Sequence, residues 1–190
     1  MTLGFSRSQL ESFRDAHVTD LLPRDLKLLF VGIDPGLWSA ATQTHFAYPG
    51  NRFYPALRKA GITERDLAWS EGMSDEDRSY LASRGVGITN VVTRATARAD
   101  ELSSDELRAG AARLERFVAK HRPRVVAIAG VTAYRTAFRR PKAHVGRQDE
   151  TLGGRPLWIV PNPSGLNAHE TVDTLAAAYR APAVEAGIVS

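Results

Sequence analysis

The sequence predicts one α/β domain, a mostly parallel four-stranded sheet with helices on both faces. Three observations carry this expectation. Four short runs, residues 28–33, 86–92, 124–130 and 156–160, are dominated by apolar and β-branched residues and bounded by turn residues. Strands covered on both faces read this way. The segments between them are largely helical in character, and such alternation builds parallel sheets through right-handed crossovers. Finally, the chain has 190 residues, 43% hydrophobic and 24% charged, which is enough for one core without staples.

Taken in order, residues 8–20 are amphipathic and predict a helix that ends before Pro23. They form an N-terminal helical arm over residues 1–24, with the α/β domain over 25–190. The first seven residues lack the charged-then-apolar pattern of a secretory leader. Leu28-Leu-Phe-Val-Gly-Ile33 predicts a buried strand. Residues 34–50, with Gly36, Pro49 and Gly50, have no clear period and read as a long loop, a length that usually serves function. Asn51 stands where it caps a helix to about residue 60, with Gly61 as the stop. Residues 63–84 are polar and partly helical, with a turn near 70–74. Asp75, Glu76 and Asp77 suit a helix start, where negative charge is favourable. Val86-Gly-Ile-Thr-Asn-Val-Val92 predicts the second strand.

Ser103 and Glu106 have capping-box spacing. The helix after them carries an apolar stripe of Leu107, Ala111, Leu114, Phe117 and Val118, and it ends before Pro123. The third strand (124–130) and a short helix (132–138) follow. Residues 139–147 form a basic loop with Arg139, Arg140, Lys142 and Arg147. Gly153-Gly154 is a turn, 156–160 the fourth strand, and 170–179 the last helix.

Composition excludes several chemistries. There is no cysteine, so disulfides, thiolate nucleophiles, zinc ribbons and iron–sulfur clusters are absent together. The five histidines, 17, 45, 121, 144 and 169, show no metal-ligand spacing, and neither a metal nor another cofactor is expected. No apolar run approaches the roughly 18 residues of a spanning helix. The net charge is +4, and 21 of the 25 Lys and Arg residues are arginine. Arginine's planar fork suits phosphate, although codon usage in a GC-rich genome produces the same excess.

Two loops carry the chemistry. Gly32-Ile-Asp-Pro-Gly36 follows the first strand; Pro35 and Gly36 turn the chain sharply and would hold the Asp34 carboxylate at the sheet rim. Alone this is an ordinary turn sequence, and it lacks the lysine and spacing of a phosphate loop. Asn162-Pro-Ser-Gly-Leu-Asn167 follows the fourth strand. Its leucine is either folded back on the core or an apolar wedge for stacked bases. Asp34 and Asn162 are 128 positions apart, yet ligands in such sheets sit beyond the carboxyl ends of strands, where both loops lie.

Together, Gly32-Ile-Asp-Pro-Gly36 and Asn162-Pro-Ser-Gly-Leu166 resemble the paired motifs of the uracil-DNA glycosylase superfamily. With Phe46 and Tyr48-Pro-Gly-Asn-Arg-Phe53, the chain looks like its mismatch-specific uracil/thymine branch, from about Leu28 to Tyr179. That branch usually has Gly-Ile-Asn-Pro-Gly; here Asp34 replaces the asparagine. The archetypal uracil-specific enzymes carry Asp-Pro in Gly-Gln-Asp-Pro-Tyr-His, and pair it with the histidine of His-Pro-Ser-Pro-Leu. Asn162 stands in that histidine's place.

The resemblance implies a uracil-DNA glycosylase-like fold and a monofunctional glycosylase that hydrolyses the N-glycosidic bond of uracil, or a related damaged pyrimidine, in base excision repair. Asp34 and Asn162 are then catalytic. The Ile33 backbone amide, Phe46 and Ser39 bind the base, Phe46 as its stacking platform; a core phenylalanine is the alternative. Ser39 would lie near the base's 5-position, where thymine-processing relatives have alanine, which favours uracil. Gly165, Leu166 and Asn167 would bind DNA, with Leu166 filling the gap left by the flipped base. Ala168 replaces an arginine common in the branch, so one contact to the orphaned partner base is missing. The expected partner is double-stranded DNA containing uracil or a mismatched pyrimidine. The protein is expected to be a monomer, cytoplasmic (nucleoid-associated in a bacterium) and away from membranes. A lesion sensor with little turnover is the other reading of the same pocket.

Overall fold

The computed structural model describes residues 4–190. The first three residues, part of the segment read for a leader pattern and of the 1–24 arm, lie outside the described residues. The elements in chain order are α1 (Arg7–Glu11), β1 (Leu28–Gly32), α2 (Leu37–Thr42), α3 (Phe53–Lys59), α4 (Asp75–Ser83), β2 (Val86–Asn90), α5 (Ser104–His121), β3 (Val125–Ala129), α6 (Val131–Ala137), β4 (Gly146–Leu152), β5 (Arg155–Val160) and α7 (Val172–Glu185).

The sheet order is β2-β1-β3-β5-β4. The first four are parallel, with Leu28 opposite both Val86 and Val125, and β4 joins β5 antiparallel. Every residue of β1, β2 and β3 is buried, which is why these strands read as continuous apolar runs. Alternation then divides them between two cores. Leu28, Phe30, Val125 and Ala127 face α3 and α7. Leu29, Val31, Val126 and Ile128 face α5 and α6. Helices therefore cover both faces, as expected.

Four expectations need correction. The sheet has five strands, not four. The missing strand, β4, is the polar run Gly-Arg-Gln-Asp-Glu-Thr-Leu, and as an edge strand it alternates half-buried with exposed residues up to its buried last residue. It carries no apolar run to detect, and it takes the end of the supposed basic loop. Gly153 and Gly154, both at positive φ (54° and 80°), make its hairpin turn to β5. Second, the loop 34–50 contains α2, a helix of six residues, too short to show a period. Third, the arm's helix covers only Arg7–Glu11 and not 8–20. Asp15 turns the chain at φ 65°, and Leu21 then pairs through both backbone bonds with Ile88, capping the free edge of β2. Fourth, α7 continues past Tyr179 to Glu185. The Ser103/Glu106 capping box and the acidic first turn of α4 are as predicted.

The carboxyl ends of β1, β2, β3 and β5 share one rim. On it lie Ile33–Gly36, Asn90–Val92, Gly130 and the 161–167 loop.

Candidate functional site

β1 ends at Gly32, and the chain leaves the sheet through Ile33-Asp34-Pro35-Gly36. Backbone bonds stitch this turn to the segment after β2: Val91 N–H donates to Gly32 O (2.9 Å), Val92 to Ile33 O (2.8 Å) and Thr96 to Pro35 O (3.1 Å). The last bond brings the Thr96 side chain to Asp34, and Thr96 Oγ1 donates to Asp34 Oδ2 at 2.5 Å. Burial pushes the Asp34 carboxyl up to about 6; the Thr96 bond and the positive charge of Arg94 oppose this, while Glu101 and Glu106 add to it. Thr96 Oγ1 also lies 2.8 Å from Arg98 O. One hydroxyl proton serves one acceptor at a time. With Asp34 ionised, Thr96 donates to it. With Asp34 protonated, the carboxyl can donate to Thr96, which then turns to Arg98 O.

After Gly36 the chain runs through α2 into the turn that carries Phe46. Phe46 adopts φ 55°, an uncommon conformation for an aromatic residue and the kind that clusters at functional sites. One face of its ring stacks on Phe53 (centroids 4.2 Å, 28° between planes). Its rim approaches Gly32: a Cβ there would meet Phe46 Cζ at 3.2 Å and Asn90 Oδ1 at 2.5 Å. Glycine at 32 thus lets an aromatic ring and a carboxamide oxygen pack directly against the end of β1. Ser39 is buried, and its Oγ accepts from Ala47 N–H (3.2 Å), so it holds the turn that carries Phe46. His45 is spent on structure. Asn90 Nδ2 donates to its Nδ1 (3.1 Å), which leaves Nε2–H to donate to Thr19 O (2.9 Å). Burial lowers its pKa and keeps it neutral.

The other loop follows β5. Asn162 Oδ1 accepts from Ser164 N–H (2.9 Å), an Asx-type turn that leaves Nδ2 as the outward donor. Gly130, at φ 118°, lets Ile33 and Asn162 close in; a Cβ there would lie 3.3 Å from Ile33 Cδ1 and 3.9 Å from Asn162 Nδ2. Asn167 Nδ2 donates to Asn162 O (3.1 Å), and Leu166 N–H to Ser164 Oγ (3.2 Å). The loop is therefore internally bonded, while the Leu166 side chain stands 94% exposed. That rejects the folded-back leucine. Gly165 packs against Gly50, where a Cβ would come within 2.7 Å of Gly50 O.

The geometry thus brings Asp34, Ile33, Asn162, Phe46 and the Leu166 loop to one rim. The basic residues are less uniform. Arg140 pairs with Glu150 (3.3 Å) and Arg147 with Glu185 (2.7 Å); Arg139 and Lys142 are exposed. Sequence reasoning missed three participants: Asn90, buried at the end of β2; Thr96, the Asp34 partner; and Arg52, whose guanidinium donates to Ser164 O (2.8 Å), Asn167 O (2.7 Å) and Glu170 O. Only Asn90 left a signal, an amide closing a β-branched strand where a buried polar group needs a reason.

Residues 19–184 match the family profile described as the Uracil DNA glycosylase superfamily. A solution NMR structure of a provisionally assigned uracil DNA glycosylase from Methanosarcina acetivorans shares the fold. It is 18% identical with a TM-score of 0.58, over 92% of this chain and 98% of that one.

Proposed function

The chain belongs to the uracil DNA glycosylase superfamily, and we propose that it is a monofunctional glycosylase of the mismatch-specific type that hydrolyses uracil from duplex DNA. The observation that carries this reading is Asp34: a half-buried carboxylate bonded to Thr96, on the rim it shares with Asn162, Phe46 and an exposed leucine.

A base inside a duplex must leave the stack before its glycosidic carbon can be reached. Leu166, with Gly165 and Asn167, enters the gap; the uracil stacks on the face of Phe46 that Phe53 does not cover. Such stacking is worth roughly 1–3 kcal/mol. Asn90 Oδ1 accepts from the base's N3–H, and the Ile33 amide donates to a base carbonyl. Ser39 lies beside the 5-position and its occupied hydroxyl keeps that wall rigid. As the C1′–N1 bond breaks, its electron pair moves onto the base, where Asn162 Nδ2 stabilises the developing charge on oxygen. The sugar becomes cationic. Ionised Asp34 stabilises it and takes a proton from the water whose oxygen bonds to C1′. The products are an abasic site and the uracil anion, which is neutralised once Asp34 returns the water's proton to solvent.

The test is uracil release from oligonucleotides carrying uracil opposite guanine, opposite adenine and in a single strand. Release from the guanine-paired duplex is expected. Tight duplex binding with no release would instead make the chain a lesion sensor. Thymine left in place opposite guanine would agree with Ser39.

A further inference from the structure

Among the described residues, the two most exposed large apolar side chains are Leu166 (94%) and Tyr48 (60%). They are 118 positions apart in sequence, yet their loops are bound into one unit. Asn51 N–H donates to Tyr48 O (2.8 Å), closing a tight turn, and Arg52 N–H donates to Pro163 O (3.0 Å). The Arg52 guanidinium then takes three carbonyls of the opposing loop, those of Ser164, Asn167 and Glu170. Gly50 and Gly165 touch backbone to backbone, and Tyr48 Cε1 lies over Gly50, 3.2 Å from where a Cβ would stand. The Tyr48 ring is also braced edge-on by Trp38 (6.0 Å, 86°), itself fixed by a bond from Nε1 to Ser70 O (2.7 Å). The Tyr48 hydroxyl has no hydrogen-bond partner among the described residues.

A single exposed aromatic residue needs no explanation. An aromatic ring supported from two sides, left open to solvent and carried on the same rigid unit as a wedge has one. We propose that Tyr48 is a second DNA-probing side chain. It lies against the duplex beside the site that Leu166 enters, and the Arg52 clamp presents the two side chains together. This rests on reading Leu166 as a wedge. Tyrosine suits the task because it offers a large contact face and orders few torsions on binding. The clamp suits it because prongs held in advance lose little freedom when the duplex is engaged.

The test is fluorescence anisotropy with a duplex carrying a central, uncleavable abasic analogue, against the same strand alone, so that no turnover is needed. Tyr48→Ala should weaken duplex binding about tenfold, within the range for an aromatic stack, and change single-strand binding less than about twofold. Tyr48→Phe, which keeps the ring, should bind the duplex as the parent does. In an Arg52→Met background, Tyr48→Ala should cost less than about threefold, because the turn is no longer held to the wedge loop. The proposal is overturned by equal losses on both DNAs, by no loss, by a Phe variant as weak as the Ala variant, or by a full Tyr48 effect without Arg52. The Tyr48 pair alone decides it should Arg52→Met not fold. Tyr48-dependent binding without uracil release would overturn the glycosylase reading and leave the second prong in place. Uracil release without Tyr48 dependence would do the reverse.

Discussion

Asp34→Asn should make the protein more stable and the enzyme slower. The folded carboxyl titrates at about 6 against an ordinary 3.8, because burial disfavours the charge more than Thr96 and Arg94 favour it. The folded chain therefore holds a proton that the unfolded chain has released. Asp34's contribution to stability is fully present below about pH 4 and is lost as pH rises to about 6. The shift is about two units, and each unit is about 1.4 kcal/mol, so ionised Asp34 costs up to about 3 kcal/mol at pH 8. Asparagine carries no charge and its Oδ1 can still accept from Thr96. The variant should melt up to about 5–10 °C higher at pH 8, on the scale for a chain of this size, and the difference should vanish near pH 4. Activity should move the other way. The parent's single-turnover rate should fall on the acid side as Asp34 takes up a proton, at or above pH 6 because flanking phosphates raise the pKa further. Asp34→Asn should lack that limb and be slower at pH 8. Asp34→Ala should lose roughly 10²–10⁴-fold. Thermal melting at pH 4 and 8, with excision rate against pH for the three proteins, checks all of this. A less stable Asp34→Asn at pH 8, or a persistent acid limb, would refute the assignment.

Thr96→Val removes a hydrogen bond that lowers the Asp34 pKa, so the acid limb should shift toward neutral pH; a limb that stays put or moves down counts against the pairing. Leu166→Ala should slow excision from duplex more than from single strands. Its stability change should stay well under the roughly 2–5 kcal/mol of a buried leucine truncation, as melting can show. Gly32→Ala places a methyl 2.5 Å from Asn90 Oδ1 and 3.2 Å from Phe46 Cζ, and should abolish excision while duplex affinity, read by anisotropy, falls far less. Excision should also be unchanged by excess chelator, since the proposed water activator is a carboxylate; loss restored by zinc or magnesium would sink that mechanism.

The parallel core strands, the capped α5 helix and the turns at 34–36 and 161–167 were legible in the sequence. Each rests on short-range rules: continuous apolar runs for doubly covered strands, side chains that cap a helix three residues on, prolines and glycines that force turns. The same rules missed α2, which is too short for a period, and β4, whose exposed face removes the apolar signal. The motif resemblance singled out Asp34 and Asn162, but no local rule places Thr96 on Asp34, 62 positions away. Nor can one find that Arg52 bonds the loop carrying Leu166, or that Asn90 and Phe46 pack against Gly32. Those are decided by sheet order and by which backbone ends meet at one rim. The charge state of Asp34 belongs with them: turn chemistry puts a carboxylate after β1, but its pKa depends on how much water the rest of the fold takes away.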